Sequence, residues 1–202
     1  ALRTAKTDQG FWHPIAIQVL VSITFAVSAF DRGWSLDGLR LIAHRYWVSI
    51  DSALPFIFAR HLVSDRAALL NNFGGGGQGN SADRPPLMAG AALHLQGFAS
   101  TFWEVTVFLS VAFIANSVWI IGLWQVLRGF RVSENRILWN VLLVSLSGMT
   151  FVNTVYTWPK LLGAGFSLCA LSLAMGPKPR NIWAHGLFGS FLALAMLSHE
   201  IG

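Results

Sequence analysis

Charged residues and cysteine are scarce in this sequence. Asp, Glu, Lys and Arg together make up only 11% of its 202 residues, whereas about a quarter of a typical soluble domain is charged. We therefore do not expect a soluble globular fold, and a hydrophobic content of 54% also excludes a disordered chain. The single cysteine excludes a disulfide scaffold and a cysteine-based zinc site.

Sequence motifs of soluble enzymes are also missing. The chain has no Walker loop, no HExxH and no GxSxG motif. The glycine-rich run at 74–79 follows no predicted strand and precedes no phosphate-binding helix, so we interpret it as a flexible loop. No nucleic-acid-recognition module is present in the sequence either, and we expect no nucleic-acid partner.

Long apolar runs without charge make up most of the chain. A helix needs about 20 apolar residues to cross a bilayer. Four runs reach that length, and a fifth reaches it if Lys160 extends to the interface. The sequence therefore predicts an all-α polytopic membrane protein with five transmembrane helices. They are expected at residues 12–30, 102–127, 137–156, 160–176 and 182–199.

Basic residues in the short connections set the predicted orientation. Cytoplasmic connections carry an excess of Lys and Arg. With five spans, three basic segments fall on one side, which places the N-terminus in the cytoplasm and makes 31–101 an extracytoplasmic loop. The basic segments are the N-terminus with Arg3 and Lys6, the 128–136 connection with Arg128, Arg131 and Arg136, and the 176–181 connection with Lys178 and Arg180.

Tryptophans lie near the ends of the predicted spans, as expected for aromatic belts at the two interfaces. Such belts anchor helices because the indole ring is apolar but carries one polar N–H group. The predicted belt residues are Trp12, Trp124, Trp139 and Trp183 on the inner side, and Trp103 and Trp158 on the outer side.

We interpret residues 1–202 as a single membrane domain. Gly202 follows a predicted span without a polar tail, and the first residue is not Met. The chain is therefore expected to be the N-terminal part of a larger polytopic protein. The apolar runs and the orientation predict an integral membrane protein with a cytoplasmic N-terminus.

The extracytoplasmic loop concentrates acidic residues. Five of the nine Asp and Glu residues lie between 31 and 86, which is more polar sequence than a connector needs. Within the loop, apolar residues from Ile50 to Leu62 recur on one helical face and predict a helix lying on the membrane. Asp51 begins this helix, either as an N-terminal cap favoured by the helix dipole or as a functional acid.

A second loop feature is the segment 83–87, which we call the DRPPL box. Its prolines forbid helix just before them and allow one to start directly after, so a short apolar helix is expected over 88–98. The box is either a plain helix start beside an ion pair, or an acid and a base held rigidly at the membrane surface. Arg84 suits a phosphate because a guanidinium group can bind two of its oxygens.

This layout resembles the GT-C membrane glycosyltransferases, in particular the aminoarabinose transferase and protein mannosyltransferase branch. In that branch an Asp opens the loop helix, and a Glu-Lys-Pro-Pro-Leu box follows some thirty residues later. Here Asp51 and the sequence at 59–62 match the loop helix. The DRPPL box matches with Asp for Glu and Arg for Lys, and Arg84 lies 33 residues after Asp51.

The resemblance implies a protein of the bacterial inner membrane. It also implies transfer of a sugar from a polyprenyl-phosphate donor to an acceptor at the outer face, by a single displacement with inversion. Asp51 would deprotonate or position the acceptor, and Arg84 would bind the phosphate of the leaving carrier. Asp83 would replace the acid that binds a divalent metal ion, the implied cofactor. Because Asp51 lacks the family's following acid and Arg, Asp31 and then Asp37 stay open as alternative functional acids.

Two further outer-face features fit the same site. Lys160 lies in the short connection between two spans, either as a snorkelling anchor or as a second phosphate ligand. His199 and Glu200 follow the last span and are either an ordinary helix end or ligands of the metal ion. Neither the sugar nor the acceptor, which can be a lipid, a glycan or a protein, follows from these residues.

The main alternative is a membrane transporter, and a non-catalytic assembly subunit is another. A transporter would need a cavity near mid-membrane lined by polar residues of the spans. The mid-span polar residues are all neutral, which argues against a path for ions or protons. They are Asn116, Ser145, Ser147 and Ser167.

Overall fold

The computed structural model describes residues 12–29, 59, 86–95, 104–155, 160–175 and 182–198. Within these ranges the regular structure is entirely α-helical and contains no strand. The all-α prediction is confirmed for this part of the chain. The helices are α1 (Trp12–Ala29), α2 (Pro86–Leu95), α3 (Glu104–Asn116), α4 (Val118–Gly129), α5 (Glu134–Leu146), α6 (Gly148–Val155), α7 (Lys160–Met175) and α8 (Ile182–Ser198).

Helices α1, α7 and α8 end within one residue of the limits predicted from the charge-free runs. Helix α2 begins at Pro86, the second proline of the DRPPL box. Proline is favoured in the first turn of a helix, because its missing N–H would have no partner there and its φ angle is already helical.

The predicted span at 102–127 is interrupted at Ser117, which separates α3 from α4. The Ser117 hydroxyl donates to the carbonyl oxygen of Ile114 at 2.7 Å. Its N–H is shared between the carbonyl oxygens of Phe113 and Ile114, both at 3.2 Å. A hydroxyl that bonds back to the preceding turn competes with the regular ladder, so the helix is locally distorted at Ser117. Ser110–Gly129 nevertheless forms one helical stretch long enough to cross a membrane.

The predicted span at 137–156 is interrupted at Ser147, where α5 and α6 meet at an angle of 74°. The backbone of Ser147 is extended, with ψ 135°. Its hydroxyl donates to the carbonyl oxygen of Val144 at 2.8 Å. Gly148 follows, and glycine weakens a helix through its backbone freedom. The continuous helix expected here was wrong, because the two parts are bent by 74°.

Among the described residues, length and hydropathy identify one helical stretch long enough to cross a membrane, Ser110–Gly129. The bent pair α5 and α6 is a second if its two parts form one span. The other apolar helices of the described ranges are shorter, namely Trp12–Thr24, Lys160–Met175 and Ile182–Ser198. The five-span arrangement therefore stays a prediction.

The helices alternate in direction. Helix α1 runs antiparallel to α4. His13 at the start of α1 stacks on Trp124 in the second half of α4, whereas Gln18, further along α1, donates to Ser117, which immediately precedes α4. Helices α4 and α7 run parallel, since the position of Gly129 at the end of α4 faces Met175 at the end of α7.

Helices α7 and α8 run antiparallel. Phe166 and Phe191 stack with ring centroids 6.1 Å apart, and they lie equally far from the segment that connects the two helices. The bundle therefore has two ends. We call one the Arg131 end, with the start of α1 and the α4–α5 turn, and the other the Lys160 end, with the start of α7 and the end of α8.

The larger hydrophobic core joins α1, α4 and α5. Trp124 is fully buried in it and stacks on His13 with ring centroids 5.4 Å apart. It was expected in the inner aromatic belt, and that prediction is wrong because the ring faces other helices. The buried members of this core are Ile17, Val21, Trp119, Ile120, Trp124, Ile137 and Val141.

One buried hydrogen bond ties α4 to α6. The indole N–H of Trp119 donates to the hydroxyl oxygen of Thr154 at 3.2 Å. We expect Thr154→Val to lower the free energy of unfolding by about 1–3 kcal/mol, because it keeps the side-chain shape but leaves the indole N–H buried without its acceptor. Thermal unfolding in detergent measures this change. Thr24→Val is the control, since the Thr24 hydroxyl bonds only within its own helix, and equal losses in both variants would contradict the expectation.

Candidate functional site

A second hydrophobic cluster lies at the Lys160 end. It brings together parts of the chain that are far apart in sequence: the loop residue Ala59, helix α2, helix α3 and the first turn of α7. Ala59 is helical and fully buried. The buried members of the cluster are Ala59, Met88, Ala92, Phe108, Ala112 and Leu162.

The pairing of large and small side chains explains how these helices approach each other. Met88 and Ala92 are four residues apart on α2, and Phe108 and Ala112 are four apart on α3. Residues four apart lie on one helical face, so each helix presents one bulky and one small side chain to the cluster. This spacing was the available sequence signal for the cluster.

Helices α7 and α8 complete the Lys160 end. Lys160 is the first residue of α7 and is exposed, whereas Leu162 two residues later is buried in the cluster. Ser198, the last residue of α8, is buried, and its hydroxyl donates to the carbonyl oxygen of Leu194 at 2.6 Å. Helix α2 packs against both α3 and α8.

Lys160 is the one predicted site residue within the described ranges, and it lies at this end. Some of the others are attached in sequence to elements that meet there. The DRPPL box leads into α2, and His199 and Glu200 follow α8. The predicted residues outside the described ranges are Asp31, Asp37, Asp51, Asp83, Arg84, His199 and Glu200.

The described residues contain no group of three His, Cys, Asp or Glu side chains close enough to hold a metal ion. The proposed metal ligands Asp83, His199 and Glu200 all lie outside those residues. The metal prediction therefore stays a prediction.

The mid-span polar residues differ in their exposure within the described bundle. Asn116 and Ser145 are buried, while Ser167 is exposed. The hydroxyl of Ser145 donates to the carbonyl oxygen of Val141 at 2.6 Å, and that of Ser167 to the carbonyl oxygen of Gly163 at 3.0 Å. Both serines thus bond within their own helices, as serine commonly does in apolar surroundings.

Sequence reasoning missed the polar contact between Gln18 and Ser117. The Gln18 amide donates to the Ser117 hydroxyl across 99 residues of sequence. The two residues lie in different predicted spans, and no local pattern links them.

No family model, curated protein or solved structure matches this chain.

Proposed function

We propose that the chain is a polytopic helical membrane protein. Its described surface supports this, because large apolar side chains face outward on several helices. Met149 is 82% exposed, Ile182 80% and Trp183 78%. Helix α8 has no charged residue at all. So many large exposed apolar side chains are unusual for a water-soluble monomer, whereas lipid chains would cover them favourably.

The alternating helix directions also support the membrane arrangement. The arginines of the α4–α5 turn and the first residue of α1 lie at the Arg131 end, and Lys160 lies at the opposite end. An orientation with the Arg131 end in the cytoplasm satisfies the positive-inside rule. The Lys160 end is then extracytoplasmic.

We further propose that the protein transfers a sugar from a polyprenyl-phosphate donor to an acceptor at the Lys160 end. The observation that supports this most is the cluster that joins Ala59, Met88 and Leu162. These residues belong to the loop helix, to the helix after the DRPPL box and to the helix that begins with Lys160. The cluster holds these three elements together, as a site that uses residues from all three would require.

The proposed chemistry divides between two kinds of group. Arg84 and Lys160 bind the phosphate of the lipid carrier, where negative charge grows as the sugar leaves. Asp51 accepts the proton of the attacking hydroxyl group, within hydrogen-bond reach of it. The sugar carbon then exchanges its bond to the phosphate oxygen for one to the acceptor oxygen, with inversion.

The divalent metal is part of the same proposal. Asp83, Glu200 and His199 offer two carboxylates and an imidazole, donors that suit a divalent transition-metal ion. Asp83 precedes α2, and His199 and Glu200 follow α8, and these two helices pack against each other. A bound metal ion would supply positive charge beside the leaving phosphate.

Binding of a polyprenyl phosphate to the purified chain tests the proposal. We expect Arg84→Ala to weaken binding by about 10–100-fold, because charged hydrogen bonds to phosphate are worth roughly 1.5–3 kcal/mol. Arg45→Ala is the matched control, since it removes an arginine of the same loop outside the DRPPL box. Equal affinities of Arg84→Ala and Arg45→Ala would contradict the assigned role of Arg84.

The bend at Ser147 is the observation that favours a transporter as the second candidate. Broken helices often line the substrate path of secondary transporters, and α5 and α6 meet at 74°. If the protein is a transporter, its substrate is expected to contact the helix breaks near Ser117 and Ser147. If it transfers a sugar, the polyprenyl-phosphate donor is expected to contact the Lys160 end instead.

A further inference from the structure

The turn between α4 and α5 has an unusual residue at its centre. Arg131 has a φ angle of +58°, the left-handed region. The N–H of Arg131 donates to the carbonyl oxygen of Arg128 at 2.9 Å, and that of Val132 to the carbonyl oxygen of Leu127 at 3.2 Å. These two bonds form a Schellman motif, in which the left-handed position is usually glycine.

The fold itself does not require arginine at this position. Glycine adopts the left-handed region without steric cost, whereas a side chain with a Cβ is strained there. The packing beneath the motif is made by its neighbours, because Leu127 and Val132 both contact the core around Trp124. The Arg131 side chain points outward and is exposed. A strained residue with an exposed charge indicates a role for the side chain.

The charge balance of the turn leaves a positive surface. Glu134 is the one acidic residue that the described ranges place at this turn, and its carboxylate pairs with Arg128 at 3.1 Å. Arg131 and Arg136 are both exposed. The outer part of the turn therefore carries two positive charges that Glu134 does not balance.

Exposed aromatic side chains lie at the same end of the bundle as these charges. Phe130 is 65% exposed beside Arg131, Trp139 is 62% exposed in the early part of α5, and Trp12 is 68% exposed at the start of α1. All belong to the Arg131 end. Exposed aromatic rings next to arginines fit the boundary of a bilayer, where rings lie among the acyl carbonyls and cations meet phosphates.

We propose that the α4–α5 turn binds the phosphate headgroups of anionic phospholipids, with Arg131 and Arg136 as the cationic contacts and Phe130 inserted beside them. The combination of positive charge and exposed aromatic area favours a lipid surface as the partner. The proposal depends on the membrane placement above and not on sugar transfer.

The test uses the purified chain in neutral detergent, with its melting temperature followed during titration by phosphatidylglycerol. We expect phosphatidylglycerol to raise the melting temperature, and phosphatidylcholine and inorganic phosphate to leave it unchanged. Arg131→Gly should weaken the apparent affinity for phosphatidylglycerol about fivefold, and Arg131→Gly with Arg136→Gln about 20-fold. Arg131→Lys keeps the charge and should stay within about twofold of wild type.

A second readout shows that the variant is folded. Without lipid, Arg131→Gly should melt about 2–4 °C higher than wild type, because it relieves the left-handed strain. A variant that is more stable and yet binds the lipid less well separates side-chain function from damage to the fold.

Several results would overturn the proposal. It fails if Arg131→Gly keeps the full response to phosphatidylglycerol, or if inorganic phosphate stabilises the protein as well as the lipid does. Arg84→Ala is expected to keep the phosphatidylglycerol response while losing polyprenyl-phosphate affinity. That pattern distinguishes failure of the lipid site from failure of the proposed sugar transfer.

Discussion

Asp51→Asn is expected to lower the rate of sugar transfer by about 10²–10⁴-fold while polyprenyl-phosphate binding stays unchanged. The amide has nearly the shape of the carboxylate but cannot accept the proton of the acceptor hydroxyl group. Because the donor phosphate binds through Arg84 and Lys160 in the proposed site, its affinity does not depend on Asp51. The measurements are single-turnover transfer from a labelled polyprenyl-phosphate sugar and equilibrium binding of the carrier.

The controls for this prediction lie in the same loop. Asp65→Asn removes a loop carboxylate with no assigned role and should transfer at the wild-type rate. Asp31→Asn and Asp37→Asn test the alternative acids. If one of them loses transfer while Asp51→Asn keeps it, the general base has been assigned to the wrong residue. Asp51 would then be an N-terminal helix cap, as its position at the start of an amphipathic helix also allows.

Gly165→Ala is expected to lower the free energy of unfolding by about 1–3 kcal/mol. Helices α4 and α7 approach closely at this point, so a Cβ on residue 165 would lie 2.7 Å from the backbone nitrogen of Trp119 and 3.1 Å from its Cα. The obstructing atoms are backbone and cannot rotate away. The helices must separate, which also disturbs the core around Trp119. Thermal unfolding in detergent should show a loss of about 2–12 °C.

Helix α8 offers a matched control for the glycine prediction. A Cβ at Gly186 or Gly189 would meet no atom within 4 Å. Gly186→Ala should therefore be neutral or stabilising by up to about 1 kcal/mol, since alanine favours the helix. A loss of stability in Gly186→Ala equal to that in Gly165→Ala would mean that close helix approach is not the cause.

The apolar runs predicted much of the helical structure, and the reason is physical. A charge inside an apolar helix is costly, so charge-free runs end where helices end, as at the limits of α1, α7 and α8. The breaks at Ser117 and Ser147 were not predictable in this way. Hydropathy records how polar a serine is, but it does not record whether its hydroxyl bonds back to the preceding turn.

The buried position of Trp124 shows a second limit of prediction from the apolar runs. A tryptophan near a span end suits an interfacial belt, and Trp12 and Trp139 are indeed exposed at the Arg131 end. Trp124 occupies an equivalent position in sequence but faces α1, where it stacks on His13. Which side of a helix faces lipid depends on the neighbouring helices, and one span's sequence does not specify those neighbours.

The sequence predicted the residues of the candidate site individually, but it did not predict which helices pack together around them. The resemblance supplied Asp51 and the DRPPL box, and the short connection between two predicted spans supplied Lys160. The contact of Ala59, Met88 and Leu162 could not be derived from it, because alanine, methionine and leucine at those positions carry no signal for partners more than 25 residues away. The structure adds that packing, which supports a shared location for the chemistry.

Photocrosslinking tests the central claim most directly. A polyprenyl phosphate with a photoreactive group near its phosphate is bound to the wild-type chain, and the complex is irradiated. The modified peptides of the protein are then identified by mass spectrometry. Sugar transfer at the Lys160 end predicts modification of peptides containing the DRPPL box, the start of α2 or the start of α7, suppressed in Arg84→Ala. Modification confined to the helix breaks near Ser117 and Ser147, or no saturable modification at all, would contradict the account.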